Sequence, residues 1–315
     1  MSPRSGFLGV LVPDETTRRA FEETFADWRD EWTRAATPIE RLRVSTRGWI
    51  SVARLVALAI CAGLGNSTTW AAFSMTLFAT AGLSLLWVSW DRAPGQLPLS
   101  AGYFAVGAVL LVPQGFAFLM APAAAIGLGT KRGHEPSVIT VALMLFVTMV
   151  LLVGWVFPAS NQMYREYVYS SLSGRTGLLT RGVPELNAPE LIRQVRTGSV
   201  GERRAGISAL SNRLALVVSA PVFFIFGVAV RRRLSVRRRW GNARFVAGAS
   251  AIAVFLTCSF ALSKIRSMWP VLAEQLSASR GLSIWLSSIV LCLAIGVLAR
   301  SSNQTSEPGT EEPGT

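Results

Sequence analysis

The stretch RRRLSVRRRW, residues 231–240, decides how this chain folds. Six arginines and no acidic residue lie in it, between apolar runs at residues 214–230 and 245–262. Placing an arginine at the centre of a bilayer costs roughly 3 kcal/mol, and short basic loops stay on the cytoplasmic side. We therefore predict a cytoplasmic turn between two membrane spans, with six residues as its topology anchor: Arg231, Arg232, Arg233, Arg237, Arg238 and Arg239.

The composition excludes an ordinary soluble domain. The chain has 315 residues, of which 51% are hydrophobic and 16% charged, and its mean hydropathy is +0.41. A soluble domain is about one quarter charged. Apolar runs of about 17 residues or more recur along the sequence, and each is long enough to cross the roughly 30 Å hydrocarbon core as a helix. The sequence thus predicts an all-α, polytopic membrane protein.

The net charge of +13 is interpreted as a feature of membrane topology. Most of the excess arginines stand beside apolar runs, and no zinc motif or helix-turn-helix pattern accompanies them. We expect anionic lipid headgroups as the partner of this charge, and no nucleic acid. Three cysteines lie in apolar runs without CxxC spacing: Cys61, Cys258 and Cys292. We expect them to be small buried hydrophobic residues that form neither a disulfide frame nor a metal site. We also expect no cofactor.

The N-terminal segment, residues 1–47, is predicted to be a cytosolic leader that carries one amphipathic helix. Four aromatic residues recur at the spacing of one helix face: Phe21, Phe25, Trp28 and Trp32. Such a helix lies on a membrane surface, docks a cytosolic partner or packs on its own protein. The apolar stretch at residues 7–12 is too short for a signal peptide, so targeting is expected to come from the first span.

Apolar runs divide the rest of the chain. Clear spans are predicted at residues 70–90, 101–128, 138–157, 214–230, 245–262 and 282–298. Residues 49–65 form a shorter run that contains Arg54, and this run is compatible with an interfacial helix, a re-entrant segment or a true span. We expect six spans, and seven if residues 49–65 also cross. The predicted parts are a leader (1–47), N-terminal membrane helices (48–158), a periplasmic segment (159–213), a three-helix C-terminal half (214–300) and a disordered cytosolic tail (301–315).

Orientation follows from the arginine-rich turn. If residues 231–239 are cytoplasmic, residues 158–213 lie outside and both termini lie inside when there are six spans. Seven spans would place four arginines of the leader outside, against the positive-inside rule. Within the outer segment, Asn187-Ala188-Pro189-Glu190 predicts a helix start, with an Asn cap, Pro in the first turn and Glu at the third position.

Catalytic constellations are not evident, and we do not expect an enzyme. The only histidine, His134, stands in a short loop at residues 129–136, and no loop has the spacing of a nucleotide-binding P-loop. That loop lies on the cytoplasmic side of the predicted topology. Its charged residues, together with the aromatic face of the leader, are candidate contacts for a cytosolic partner: Lys131, Arg132, His134 and Glu135.

An anionic amphiphile is the ligand class that such a protein could handle. Its tails would lie against apolar helix faces, and its phosphates would meet basic side chains at the outer membrane surface. Four basic residues fall at outward-facing ends of predicted spans: Arg92, Arg165, Lys264 and Arg266. The alternative role for these residues is to anchor helix ends by snorkelling.

Residues 183–300 resemble the C-terminal half of the LptF/LptG family of lipopolysaccharide-export permeases. The resemblance is carried by Glu185-Leu186, by Pro189-Glu190-Leu191-Ile192, by Asn212-Arg213-Leu214-Ala215-Leu216, and by Pro221 and Gly227 before the basic turn. A second patch, Phe157-Pro158-Ala159-Ser160-Asn161 with Arg165, is similar to the end of the family's third span. Together the matches lie within residues 157–300, a little under half of the chain.

The resemblance implies a bacterial inner-membrane protein with six spans, a second permease subunit as partner, and a cytosolic ATPase that powers lipid extraction. Two segments differ from the family pattern. Residues 162–183 stand where the family has a periplasmic jellyroll, and the loop at residues 129–136 is shorter than the family's ATPase-coupling segment. The sequence therefore predicts a divergent permease-type subunit of an ABC-like lipid-export system, without ATPase activity of its own. The alternative is a non-transporting membrane scaffold or regulator that docks a cytosolic partner through its leader.

Overall fold

The fold is described by a computed structural model for residues 15–91, 119–121, 123–124, 137–163, 185–236, 249–250, 253–254, 257 and 285–295. These residues form helices and short connections, with no β-strand among them, which confirms the all-α prediction. The helices are α1 (Glu15–Arg34), α2 (Pro38–Leu64), α3 (Ser67–Asp91), α4 (Val138–Leu151, continued by a π-helical turn at Leu152–Val156), α5 (Ala188–Thr197), α6 (Val200–Val236) and α7 (Trp285–Ile295).

Three helices in the described part of the chain are long and apolar enough to cross a membrane: Pro38–Leu64, Val138–Met163 and Val200–Arg231. Helix α3 covers the whole predicted run at residues 70–90. The predicted spans at 101–128 and 245–262 lie mostly outside the described residues. Membrane association is therefore supported, and the count of six or seven spans remains a prediction.

Helix α2 begins well before the apolar run at residues 49–65. Thr37 and Glu40 form a reciprocal capping box, in which the Glu40 N–H donates to Thr37 Oγ1 (3.2 Å) and the Thr37 N–H donates to Glu40 Oε2 (3.1 Å). Pro38 occupies the first turn, where a missing N–H costs nothing. The leader boundary at residue 47 thus falls inside one continuous helix.

Helix α4 also runs further than its apolar pattern predicts. The helix extends to Met163 and includes Pro158. Proline has no N–H for the residue four positions earlier, so an undisturbed α-helix would lose a hydrogen bond there. The π-helical turn lies directly upstream, and in it the Phe157 N–H bonds to Leu152 O, one residue further back than in an α-helix.

The predicted start of α5 is confirmed. Asn187 caps the helix and forms a capping box with Glu190, through Glu190 N–H to Asn187 Oδ1 (2.9 Å) and Asn187 N–H to Glu190 Oε2 (2.8 Å). Leu191 is fully buried, whereas Ile192, expected on the same apolar face, is exposed.

Helix α6 is 37 residues long and crosses the boundary drawn at residue 213. The polar end of the predicted periplasmic segment and the predicted span at residues 214–230 therefore belong to one continuous helix. The arginine-rich stretch was predicted as a turn, but Arg231, Arg232 and Arg233 lie in the last turns of α6, which ends at Val236. Arginine is a good helix former, and α6 continues past these three residues to Val236.

The hydrophobic core is built around α6. One side of α6 packs with α3 and α4 through side chains that include Phe224, Leu145 and Met149, and another side packs with α7 through Phe223 and Leu291. Gly227 permits the closest approach in this core, because a Cβ at that position would overlap the backbone carbonyl of Ala121. Small residues at such crossings are typical of membrane helices, whose backbones pack closely.

Polar residues in this core are short hydroxyls. Several of them bond to their own helix, as in Thr76 Oγ1 to Ala72 O (2.7 Å) and Thr80 Oγ1 to Thr76 O (2.7 Å). Others join helices: the Ser137 N–H donates to Thr69 Oγ1 (3.2 Å) and Thr140 Oγ1 donates to Ala59 O (3.5 Å). These two bonds bring the end of α2 and the starts of α3 and α4 together at one end of the bundle, called the Ser137 end below.

Helix α6 runs antiparallel to α4. Ala188, at the start of α5, lies 3.7 Å from the position of a Cβ on Gly154, late in α4, and α5 turns directly into α6. From there α6 packs along α4 through residues such as Ala220 and Val228. Arg231 therefore lies at the Ser137 end, on the same side as the start of α4.

Replacing Gly227 by Ala is expected to lower the free energy of unfolding by about 1–3 kcal/mol, because the added methyl group overpacks a backbone contact. Gly82→Ala in α3 is the matched control, since a Cβ there meets nothing within 4 Å. The thermal midpoint in detergent should fall for Gly227→Ala and stay equal or rise for Gly82→Ala. Equal midpoints for the two variants would contradict the close crossing.

Candidate functional site

Most of the predicted site residues lie outside the described residues. This holds for the lipid-phosphate candidates Arg92, Arg165, Lys264 and Arg266, for the loop residues Lys131, Arg132, His134 and Glu135, and for the anchors Arg237, Arg238 and Arg239. Of the remaining anchors, Arg231 is partly buried in the last turns of α6. The four aromatic residues predicted on one face of the leader helix are all described: Phe21, Phe25, Trp28 and Trp32.

The aromatic face of α1 packs on α2. Phe21 is only 2% exposed, Phe25 stacks on Trp28 with centroids 6.0 Å apart, and Trp28 meets the Trp49 ring edge-on at 5.6 Å. Trp28 also covers Gly48, where any Cβ would overlap its indole. This aromatic face therefore packs against the protein itself. Of its four residues, only Trp32, at 43% exposed, points substantially outward.

Charged residues occupy the exposed side of α1. At the helical period they fall opposite the aromatic face. They comprise four acids and two arginines, all exposed: Arg19, Glu23, Asp27, Asp30, Glu31 and Arg34. This side of α1 is thus available to solvent or to a basic partner.

Three polar side chains are buried or partly buried along the α5–α6 hairpin, where Gln194 lies about 9 Å from the level of Arg213 because Val195 lies against Gly206. Glu185 is buried just before α5, and Gln194 and Arg213 are partly buried on α5 and α6. Gln194 Oε1 is a buried acceptor with no donor among the described residues. We define these three residues as the polar junction.

The register of the α5–α6 hairpin sets the level of Arg213. Val195 lies against Gly206, with Cγ2 2.9 Å from the position of a Cβ there. In an antiparallel pair, seven residues back along α5 and seven forward along α6 bring Ala188 level with Arg213. Because Ala188 contacts Gly154, Arg213 lies level with the π-helical turn of α4.

Helix α4 presents an apolar face that ends at this level. Leu143, Val147, Leu151 and Trp155 follow one another every four residues, and all are exposed. The face is about 18 Å long at 1.5 Å per residue, which is more than half of a hydrocarbon core of roughly 30 Å. Tryptophan at its end is typical of a membrane interface.

Arg213 can bind an anionic headgroup. A guanidinium stays charged at any accessible pH and can hold a phosphate or carboxylate through two parallel hydrogen bonds. Sequence reasoning quoted Glu185 and Arg213 only as family markers and did not place them in a site. The available signal was an arginine directly before the apolar run at residues 214–230.

Among the described residues, no cluster of three or more His, Cys, Asp or Glu side chains could hold a metal ion. The expected burial of the cysteines is wrong for Cys61 and Cys292, which are exposed on helix faces. Cys258 lies outside the described residues. In a bilayer these exposed thiols face lipid or a neighbouring helix.

The cap of α5 is expected to stabilise the polar junction. Asn187→Ala removes the side-chain acceptor for the Glu190 N–H and should cost about 1 kcal/mol. Thr197→Ala, at the exposed end of the same helix, is the control. A lower thermal midpoint for Asn187→Ala alone supports the role of the cap, whereas equal midpoints would argue that α5 is held by packing only.

No family model, no characterised protein and no solved structure matches this chain. The resemblance to LptF/LptG permeases therefore depends on the quoted residues alone. What it implies about function enters below as a proposal.

Proposed function

We propose that the protein is a permease-type membrane subunit that binds an anionic lipid or glycolipid within an ABC-like export system. It has no ATPase activity of its own, lies in a bacterial inner membrane with both termini cytoplasmic, and works with a second permease subunit and a cytosolic ATPase. The observation that carries this proposal is the position of Arg213, partly buried in the polar junction at the level where the apolar face of α4 ends.

The geometry matches the two parts of an amphiphile. An acyl chain lies along the exposed residues from Leu143 to Trp155, and its phosphate meets Arg213 at the same level as the π-helical turn. Charge-assisted hydrogen bonds to a phosphate are stronger near a low-dielectric surface than in water.

The charge distribution supports the orientation. Arg231, Arg232 and Arg233 end α6 at the Ser137 end, which the positive-inside rule assigns to the cytoplasm. Arg213 lies toward the opposite end of α6 and so belongs to the outer leaflet. A lipid bound there has either been transferred already from the inner leaflet or has entered from the outer leaflet.

A second subunit is proposed for the uncovered helix faces. Phe78 on α3 and Leu293 on α7 are 79% and 67% exposed, and together with the face of α4 they surround the bundle with apolar surface. Lipid covers such surface in a monomer, and a facing subunit encloses a lipid-sized space in a dimer.

The second candidate function, a scaffold or regulator, is favoured by the charged side of α1. Because the aromatic face packs internally, a cytosolic partner would have to recognise the acids Glu23, Asp27, Asp30 and Glu31. A basic surface on the partner is the complementary chemistry.

Substitution of Arg213 tests the permease proposal. Arg213→Gln should reduce the occupancy of co-purified anionic lipid by roughly 10-fold or more, since hydrogen bonds to charged groups contribute about 1.5–3 kcal/mol. Native mass spectrometry of protein extracted in mild detergent measures this occupancy. The lipid occupancy of Arg213→Lys should lie between those of the unmodified protein and Arg213→Gln, because an ammonium keeps the charge but lacks the planar fork of the guanidinium.

Arg203→Gln is the matched control, since Arg203 is exposed in the first turns of the same helix. Its lipid occupancy should equal that of the unmodified protein. If Arg213→Gln and Arg203→Gln retain lipid equally, the assignment of a lipid site to the polar junction is wrong.

Neutralising the charged side of α1 tests the scaffold alternative. The quadruple variant Glu23→Gln, Asp27→Asn, Asp30→Asn and Glu31→Gln leaves the Trp28 contact in place. A scaffold should lose its cytosolic partner in cross-linking of intact cells, with lipid occupancy unchanged. A permease should keep its lipid and its ATPase partner in the same variant.

A further inference from the structure

Helix α2 has three distinct faces, and one of them is a stripe of arginines. Residues 40, 43, 47, 51 and 54 follow at spacings of three and four, so they share one side of the helix. The side chains are exposed and mostly basic: Glu40, Arg43, Arg47, Ser51 and Arg54. We call this set the arginine stripe.

A second face of α2 is apolar and uncovered. Its largest members are Ile39, Leu42, Trp49 and Ile50, which are 74%, 70%, 64% and 49% exposed. The small residues Ala53 and Ala57 continue the face toward the C-terminal end. Four large apolar side chains on one side of a helix are costly to leave in water, at about 25 cal/mol per Å² of apolar surface.

The third face holds α2 to the rest of the protein. Trp28 of α1 covers Gly48, while Ala59 and Gly63 contact Thr140 at the start of α4. Apart from the Trp49 ring, one side of which meets Trp28, the apolar face therefore points away from both α1 and the bundle, and the arginine stripe lies beside it.

Helix α1 prevents the first half of α2 from entering hydrocarbon. It runs antiparallel along α2, with Trp28 at Gly48 and, in the same register, Phe21 level with Leu55. Six acids and four arginines are present among the 20 residues of α1. Carrying these charges into a bilayer is prohibitively expensive.

The remaining part of α2 is too short to span alone. Residues 55–64 contain no charge. Ten residues of helix extend only about 15 Å, against a hydrocarbon core of roughly 30 Å. Length and composition make α2 a candidate span, but its partner helix removes that option.

We propose that α2 is an in-plane anchor that binds the anionic surface of the leaflet at the Ser137 end. Ile39, Leu42 and Ile50 insert at the acyl boundary, the arginine stripe contacts lipid phosphates, and α1 lies on the water side with its charged residues outward. An uncovered apolar face flanked by arginines is the arrangement by which surface helices bind anionic lipid.

The connection to the bundle agrees with this placement. Only Gly65 and Asn66 separate α2 from α3, and the Trp70 indole N–H donates to Leu64 O (2.9 Å) across this turn. The end of α2 is therefore held at the interface where α3 enters the membrane. The proposal stands independently of the lipid site at Arg213.

Depth measurements on the full-length protein test the proposal. Single cysteines replace Leu42, Ile50 or Ala57 in a background in which Cys61, Cys258 and Cys292 are serine, and each carries a nitroxide in nanodiscs that contain phosphatidylcholine with phosphatidylglycerol. Power saturation with oxygen and a water-soluble nickel complex reports depth. All three labels should lie at a similar shallow depth below the phosphates.

Two other results would overturn the proposal. A spanning α2 places the labels at 42 and 57 about 22 Å apart in depth, at 1.5 Å per residue. A helix that extends into water leaves all three labels accessible to nickel. A helix covered by a protein partner leaves all three labels shielded from both reagents.

A charge arm tests the arginine stripe separately. The triple variant Arg43→Gln, Arg47→Gln and Arg54→Gln should lose the difference in label depth between nanodiscs with and without phosphatidylglycerol. The control variant Arg19→Gln, Arg29→Gln and Arg34→Gln makes the same change in charge on exposed positions of α1 and should keep that difference. If both variants keep the same difference in label depth between the two kinds of nanodisc, the anchor does not recognise anionic lipid.

Discussion

Arginine cannot be placed in hydrocarbon without a partner, and this constraint organises the structure. Arg213 and Arg231 bound the apolar part of α6, which is long and apolar enough to cross a membrane between them. Arg54 interrupts the apolar run at residues 49–65, in α2. Backbone groups in lipid must also be satisfied within the chain, which is why every described element is a helix. Arginine positions thus set where each helix meets the membrane surface.

Close contacts between helices fix the relative positions of the helices in the bundle. Gly227 lets α6 approach the backbone of Ala121, and Gly63 lets α2 approach Thr140 at the start of α4. Such contacts replace the hydrophobic effect, which does little between helices that are already in lipid. They also place both proposed lipid contacts at defined levels: the polar junction near the π-helical turn of α4, and the arginine stripe at the opposite end of the bundle.

Local signals in the sequence predicted several features correctly. The capping pattern at Asn187 and Glu190 specifies the start of α5, since a side-chain acceptor and a reciprocal carboxylate are sufficient to cap a helix. The spacing of Phe21 and Trp28 placed them on one face. What they contact could not be predicted, because one face can bind lipid, a partner or the same chain equally well. The polar junction was missed for a similar reason, since Glu185 and Arg213 are 28 residues apart in the sequence and their relative level depends on the α5–α6 hairpin.

The sequence by itself determined that the chain is helical and apolar enough to associate with a membrane, with a basic segment after the apolar run at residues 214–230, because transfer free energies depend on composition and length alone. Only the tertiary structure decided which apolar faces remain uncovered. Phe21 became core because α1 folds back on α2, and Leu42 stayed outside because that same contact uses the opposite side of α2. Burial depends on which helices meet, and the pairing of helices is a property of the whole chain.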